Sequence, residues 1–229
     1  TGEQDLAGLG ILLDGDGRII DSINLSTDYA GLLRQPWLHS GMKLKIEQIA
    51  ALLAELPGDS SVSITKPSEL AKELFTHRGS GTLVRQGKRI QTAASWSKIS
   101  KPRLQALLES GFSKKMRAEY FADNKPSRIY FSEDYRAALV LLKVAGMDYL
   151  DKFAVAEDAQ GEGLGSAAWN VMRQNHPKLF WRSRRENPIN DFYMQACDGC
   201  IKFRHWTVFW YGLDGMDEIQ AAADYCLDK

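Results

Sequence analysis

Lys152-Phe-Ala-Val-Ala-Glu-Asp-Ala-Gln-Gly-Glu-Gly-Leu-Gly165 reads as three elements in succession. Phe153 to Val155 is apolar and ends a strand. Glu157 to Gly163 is small, acidic and glycine-rich, the composition of a tight connection. Beyond it, up to Asn175, apolar residues return with the period of a helix. Gly161, Gly163 and Gly165 tolerate positive φ and leave their backbone N–H groups uncovered. At the positive end of a helix dipole, such groups make a cradle for a pyrophosphate. A strand, a glycine loop and a helix start suit an α/β fold in which this segment either cradles an anionic ligand or is a tight strand-to-helix connection with no ligand.

The flanking sequence supplies the rest of that fold. Upstream, helices are expected at Arg103–Glu109 and Lys114–Phe121, and strands at Arg128–Ser132, Ala137–Val144 and Tyr149–Ala156. Downstream come a helix from Gly165 to Asn175, strand Leu179–Arg184, helix Asn190–Ala196 and strand Thr207–Tyr211. The run Arg85–Lys101 is polar, is followed by Pro102, and reads as a linker or domain boundary. Ahead of it lie an apolar strand at Leu9–Leu13, a turn at Asp14–Gly17 and a return strand at Arg18–Ile23. A helical period at Gly41–Leu56, strand Ser61–Thr65, helix Pro67–Phe75 and strand Ser80–Val84 follow. That alternation predicts an open, mainly parallel sheet. The division expected is 1–87 and 88–229.

The 229 residues are 44% apolar and 25% charged with a formal net charge of zero, so nothing global points to nucleic acid or a membrane surface. No apolar run approaches the roughly 18 residues that span a bilayer, and no secretory leader is seen. The chain begins Thr-Gly rather than Met and reads as a piece of a longer one. Its three cysteines suit a reducing cytoplasm, and a cytoplasmic protein is expected. Cys197 and Cys200 form a lone C-x-x-C without the second pair that a structural zinc site needs; they read as packing cysteines, and no metal is expected.

Two nucleotide-like readings compete for the glycine loop. Gly161 and Gly163 resemble part of G-x-G-x-x-G, but that fingerprint wants an acidic residue about 20 residues on, after a second strand. Here the next strand ends in arginine. The spacing Gln160-x-x-Gly163-x-Gly165 instead resembles the Q/R-x-x-G-x-G/A loop of the GNAT acetyltransferase superfamily. That resemblance implies a mixed central sheet with flanking helices, acetyl-CoA as co-substrate, its pyrophosphate on Gln160, Gly161, Gly163 and Gly165, and its pantetheine arm along Phe153, Ala154 and Val155.

Leu179-Phe-Trp-Arg-Ser-Arg184 alternates as a strand, so Arg182 and Arg184 share one face and Trp181 and Ser183 the other. Two guanidiniums on one face suit an anionic substrate, because arginine binds carboxylates bidentately. Tyr149-Leu-Asp-Lys-Phe153, Phe180-Trp-Arg-Ser-Arg-Arg-Glu-Asn-Pro-Ile-Asn190, Tyr193 and Phe209-Trp-Tyr-Gly-Leu213 resemble the acetyltransferase domain of N-acetylglutamate synthases over roughly residues 113–213. The resemblance implies L-glutamate as substrate and N-acetylglutamate as product. It implies glutamate binding by Lys114, Lys152, Arg182, Arg184 and Asn187, with Tyr193 near the CoA sulfur. A single general base is not apparent. Water or backbone carbonyls near Tyr149 and Lys152 are expected to take the amine proton, and N–H groups of Phe153–Val155 to meet the oxyanion. A cationic substrate would be repelled by the paired arginines.

Residues from about 8 to 84 resemble the nucleotide-binding half of an acetylglutamate-kinase-type domain, carried by Gly41-Met-Lys-Leu-Lys45 and Glu73-Leu-Phe-Thr-His-Arg-Gly-Ser-Gly-Thr82. The resemblance implies that Lys45 contacts nucleotide phosphates in a parent kinase and that L-arginine binds near Glu73 and Gly79. The acetylglutamate-binding half is absent, so this chain alone is expected to lack kinase activity, and its parent to be bifunctional and homo-oligomeric. The alternative reading is a regulatory or oligomerisation module that binds L-arginine.

Overall fold

The computed structural model describes residues 12–56, 60–70, 81–160 and 163–228. They divide into two compact units, each treated by itself. One holds the described residues up to Ile90 with 132–134 and the described part of 157–167; the other holds 91–131, 135–156 and 168–228.

In the first unit, Asp14 turns the chain at Asp14–Gly17 by accepting the N–H groups of Asp16 and Arg18 on its carboxylate, and Leu13 bridges Ile19 in antiparallel fashion. Strand β1 (Ser22–Asn24) then leads into helix α1 (Leu25–Leu32). Asn24 caps that helix by accepting the Ser26 N–H, which satisfies one of the orphan donors of its first turn. Helix α2 (Ser40–Glu55) buries Met42, Ile46 and Leu53, which pack with Ile23 and Val84. Strands β2 (Ser61–Ile64) and β3 (Thr82–Arg85) complete a sheet of order β1-β3-β2, with β1/β3 parallel and β2/β3 antiparallel. The mainly parallel sheet expected is thus a mixed one, and α1 was not anticipated. The helix expected from Pro67 begins as a 3-10 turn, Pro67–Glu69; its remainder, with Glu73 and Gly79, lies outside the described residues, as does most of Leu9–Leu13.

The larger sheet runs β4-β5-β6-β7-β8-β10-β9. Its strands are β4 (Ile90–Ala93), β5 (Pro126–Ser132), β6 (Ala137–Val144), β7 (Met147–Val155), β8 (Leu179–Arg184), β9 (Gly199–Lys202) and β10 (Trp206–Tyr211). The pairs β5/β6, β6/β7, β8/β10 and β10/β9 are antiparallel, and β7/β8 is parallel. Helices α3 (Lys101–Phe112), α4 (Tyr120–Asp123), α5 (Leu164–Asn175), α6 (Asn190–Ala196) and α7 (Met216–Asp228) connect or follow these strands. The core of one face gathers Leu104, Leu107 and Leu108 of α3, Val140, Tyr149, Phe180, Val208, and Ala222 and Cys226 of α7. The architecture is the mixed sheet with flanking helices that the glycine-loop resemblance implied.

Two expectations are corrected here. The presumed linker Arg85–Lys101 contains edge strand β4 and a buried Trp96 whose indole N–H donates to the Asn124 carbonyl. The helix expected at Lys114–Phe121 is reduced to Tyr120–Asp123. Ser113 turns into the left-handed region and ends α3. The Glu109 carboxylate then takes the Met116 N–H at 3.1 Å, Lys115 Nζ at 2.8 Å and Gln105 Nε2 at 2.9 Å, so local side-chain bonds replace helical ones. Strand β9 and helix α7 were not foreseen.

Two irregularities of β7 shape the site. Against β6 its register jumps from Val140↔Lys152 to Leu141↔Leu150, so Asp151 is an extra residue, a β-bulge. Against β8 its pairing covers only Tyr149↔Phe180 and Leu150↔Trp181, although β7 continues to Val155 and β8 to Arg184. A bulge bends its strand and sharpens the local twist. The two parallel strands therefore part just where the bulge occurs.

Candidate active site

Arg182 and Arg184 project to one face of β8, as the alternation predicts. Both guanidiniums lie over the indole of Trp206, with Cζ 4.1 Å and 5.3 Å from the ring centroid. Trp206 stands directly across from Arg184 in the β10/β8 register, while Arg182 pairs with Val208; one ring thus reaches its opposite and its diagonal neighbour. Arg182 also donates from Nη1 to the carbonyl of Cys226 in the last turn of α7, the end of a helix that favours a cation.

The bulge presents Asp151 and Lys152 together. The Asp151 side chain is 2% exposed, and its Oδ2 accepts from Lys152 Nζ at 2.7 Å and from the Tyr120 hydroxyl at 2.8 Å. Lys152 Nζ also sits 5.0 Å above the Tyr120 ring. Burial, reinforced by the Asp151 charge, keeps the Tyr120 phenol protonated far beyond the ordinary tyrosine range. Tyr149 is buried against Phe180 and Tyr225, with centroids 5.0 Å and 5.1 Å away; burial likewise raises its hydroxyl pKa well above the usual value. Its place is in the wall beneath the arginines rather than at an open surface.

Lys114 is exposed in the turn after α3, and its N–H donates to the Glu109 carbonyl at 3.2 Å. Glu109 therefore shapes that turn from both its backbone and its side chain. Asn187 follows Arg184; its Oδ1 accepts the Ile189 N–H at 3.3 Å, and the Asn190 side chain donates to the Arg184 and Arg185 carbonyls. These bonds tie the end of β8 to the start of α6. Tyr193, on α6, is 6% exposed among Trp169, Trp181 and Phe209, and burial pushes its hydroxyl pKa well up.

Of the glycine loop, Glu157–Ala159 form a 3-10 turn, and Gln160 is exposed with its N–H on the Glu157 carbonyl. Gly163 has φ +73° and offers its carbonyl to Ala167, so it stands at the head of α5 in a conformation that suits glycine. Gly165 lies in the first turn of that helix. Gly161 and Glu162 lie outside the described residues. Phe153 packs on Trp169 and Phe192. Lys45, in the same unit as Gln160, Gly163 and Gly165, is exposed on α2.

The structure thus places Lys152, Arg182 and Arg184 on strands that diverge beyond two shared residue pairs, whereas Tyr193 packs with Trp181 and Phe209 on the face of β8 and β10 opposite the arginines, and Lys114 and Asn187 are held in turns by local bonds. It adds Asp151, Tyr120 and Trp206, which sequence reasoning missed. Asp151-Lys152 carried a signal, since two adjacent charges interrupt a strand's alternation. Tyr120 and Trp206 carried none, because their roles depend on which strands and helices meet. Among the described residues no group of three or more His, Cys, Asp or Glu side chains has a metal-holding arrangement, and no helix is long and apolar enough to cross a membrane.

Acetylglutamate kinase of Xanthomonas campestris pv. campestris is 55% identical over 229 residues, covering 98% of this chain and 54% of that protein. The mitochondrial N-acetylglutamate synthase of Homo sapiens is 37% identical over 209 residues, covering 89% of this chain and 39% of that protein. The chain spans about half the length of the Xanthomonas and Xylella relatives that it matches. A solved N-acetylglutamate synthase from Neisseria gonorrhoeae, complexed with coenzyme A and N-acetyl-glutamate, aligns with a TM-score of 0.45 at 16% identity, covering 88% of this chain and 53% of that one. The model of the N-acetyltransferase of N-acetylglutamate synthase matches residues 91–229, and by that match the chain belongs to this acetyltransferase family.

Proposed function

We propose that this chain transfers the acetyl group of acetyl-CoA to the α-amine of L-glutamate, releasing N-acetylglutamate and CoA. The observation that carries the reading is the pair of arginines held on one indole, beside strands that part at a charged bulge. Arg182 and Arg184 offer forks for carboxylates, Lys152 and Lys114 add charge, and the Asn187 amide N–H2 orients one carboxylate. The residues fit a CoA thioester as co-substrate. Beyond Leu150, β7 has no β8 partner among the described residues, so backbone groups of Phe153, Ala154 and Val155 face the opening and suit the amide-bearing pantetheine arm. Gln160, Gly161, Gly163 and Gly165 would hold the pyrophosphate at the head of α5.

In the reaction the amine nitrogen bonds to the thioester carbonyl carbon, the C–S bond breaks and the thiolate departs. Water, or backbone carbonyls near Tyr149 and Lys152, takes the ammonium proton. Backbone N–H groups on the open side of Phe153–Val155 meet the oxyanion. Tyr193 donates a hydrogen bond to the departing sulfur. Its raised pKa makes complete proton release to a thiolate unfavourable, so the phenol stabilises charge and keeps its proton. Acetyl transfer measured side by side with glutamate, aspartate, glutamine and lysine tests the substrate: a marked preference for glutamate is expected, and equal rates would sink the reading.

The names of the relatives also favour a longer parent that joins a kinase to the acetyltransferase; we propose that residues 1–87 end its acetylglutamate-kinase domain, that 88–229 form the acetyltransferase, and that the parent is a cytoplasmic homo-oligomer. Lys45 would serve the nucleotide there, and L-arginine would bind near Glu73 and Gly79. Alone, this chain would not phosphorylate N-acetylglutamate.

A further inference from the structure

We propose that Trp206 is a positioning residue: its indole fixes the distance between the Arg182 and Arg184 guanidiniums and thereby sets the length of the dicarboxylate that the face accepts. The inference rests on the glutamate reading above and adds a residue outside the binding set. Two like charges two positions apart on one strand face repel each other, and each side chain is long and mobile. Left alone they would spread into solvent in many rotamers. The register prevents this by placing Trp206 opposite Arg184 and diagonal to Arg182. With Cζ 4.1 Å and 5.3 Å from one centroid, both cations use the same π system, whose quadrupole attracts each of them. Arg182 is held a second time by the Cys226 carbonyl. Arg184, exposed at the strand end, leans on the ring, so it is the arginine whose placement depends more on Trp206. A half-buried ring also gives the pair a rigid floor that no aliphatic side chain supplies.

The test compares this chain with its Trp206→Leu, Trp206→Phe and Trp206→Tyr variants in steady-state kinetics, using acetyl-CoA with glutamate and with aspartate. Trp206→Leu is expected to raise KM for glutamate roughly five- to thirty-fold, the effect of losing two cation–π contacts. KM for acetyl-CoA should stay within about twofold, and the preference for glutamate over aspartate should shrink. Phe and Tyr should restore most of the loss. An unchanged glutamate KM and glutamate-to-aspartate ratio in Trp206→Leu overturns the inference, as does a loss shared equally by both KM values that neither aromatic variant rescues. Should Trp206→Leu fail to fold, Trp206→Met takes its place: a raised glutamate KM that Phe or Tyr largely restores supports the role, and an unchanged one ends it. Failure of the parent reading looks different, since the unaltered chain would then show no preference for glutamate at all.

Discussion

Replacing Asp151 by Asn tests whether the bulge serves the substrate or the fold. The amide keeps the shape of the carboxylate and can still accept from the Tyr120 hydroxyl, but the negative charge is gone. At the 2.7 Å separation of Lys152 Nζ and Asp151 Oδ2, the gross attraction at an effective dielectric of 20 is about 6 kcal/mol. Burying the nearly inaccessible carboxylate costs several kcal/mol in turn, so the two terms largely cancel in folding. The net stability change expected is therefore small, about 0–2 kcal/mol. What is lost outright is one charge-assisted hydrogen bond, worth about 1.5–3 kcal/mol, that aims the lysine. If Lys152 binds a glutamate carboxylate, kcat/KM for glutamate should fall by about 10- to 150-fold, with acetyl-CoA affinity and melting temperature little altered. Initial rates at varied glutamate, with thermal melts of the same samples, measure both. A variant whose kcat/KM for glutamate stays within twofold of the parent would refute the reasoning and leave the bulge a purely architectural device.

Four further outcomes follow from the geometry. Tyr193→Phe should lower kcat by about 10- to 100-fold, as expected for a lost donor to developing charge, while KM for glutamate is unchanged; unaltered turnover would remove Tyr193 from the reaction. Because burial raises the pKa of this phenol, its protonated form persists through and above the ordinary tyrosine range, so activity should show no alkaline loss near pH 10 that disappears in the Phe variant. Glu109 is held down to about 2 by its bond to Lys115 first, then by Gln105 and the Met116 N–H; a depressed carboxylate adds stability above its unfolded pKa and loses it as pH falls through the folded one. Glu109→Gln should therefore flatten the decline in stability between about pH 4.5 and 2, read by denaturant melts across that window. Gly212 has φ +68°, and a Cβ there would collide with the Pro177 carbonyl oxygen; Gly212→Ala should cost about 2–4 kcal/mol from the left-handed backbone and the clash together, and an unshifted melting curve would contradict it.

Much of this molecule was legible where side chains carry the pattern themselves. Strands β6 and β8 and helix α6 fall where apolar spacing puts them, and the alternation of β8 alone brought Arg182 and Arg184 to one face. The glycines between β7 and α5 marked an anion cradle because their conformational freedom is local. What stayed hidden depends on partners distant in sequence. Edge strand β4 lies in a polar run that only its neighbour β5 makes a strand. Residues 114–119 look helical, yet Glu109 binds their backbone and side chains in another shape. Strand β9, Gly-Cys-Ile-Lys, has no alternation to read and exists by pairing with β10. The bulge is a property of the β6/β7 register, and Trp206 matters only because β10 lies beside β8.

The parting of β7 from β8 also has a mechanical meaning. A continuous seven-stranded sheet resists bending across every seam, but here the four strands from β4 to β7 and the three from β8 to β9 are joined along the backbone at just two residue pairs. They form two wings that meet at a short hinge, with the rings of Tyr149, Phe180 and Trp181 packed around it and the helices α3 and α7 laid across the same core. Rotation about that hinge changes the angle between the wings without breaking any other ladder in the sheet. The backbone ladder is thereby shortest at the place where the two substrates of the proposed reaction would have to enter, meet and leave.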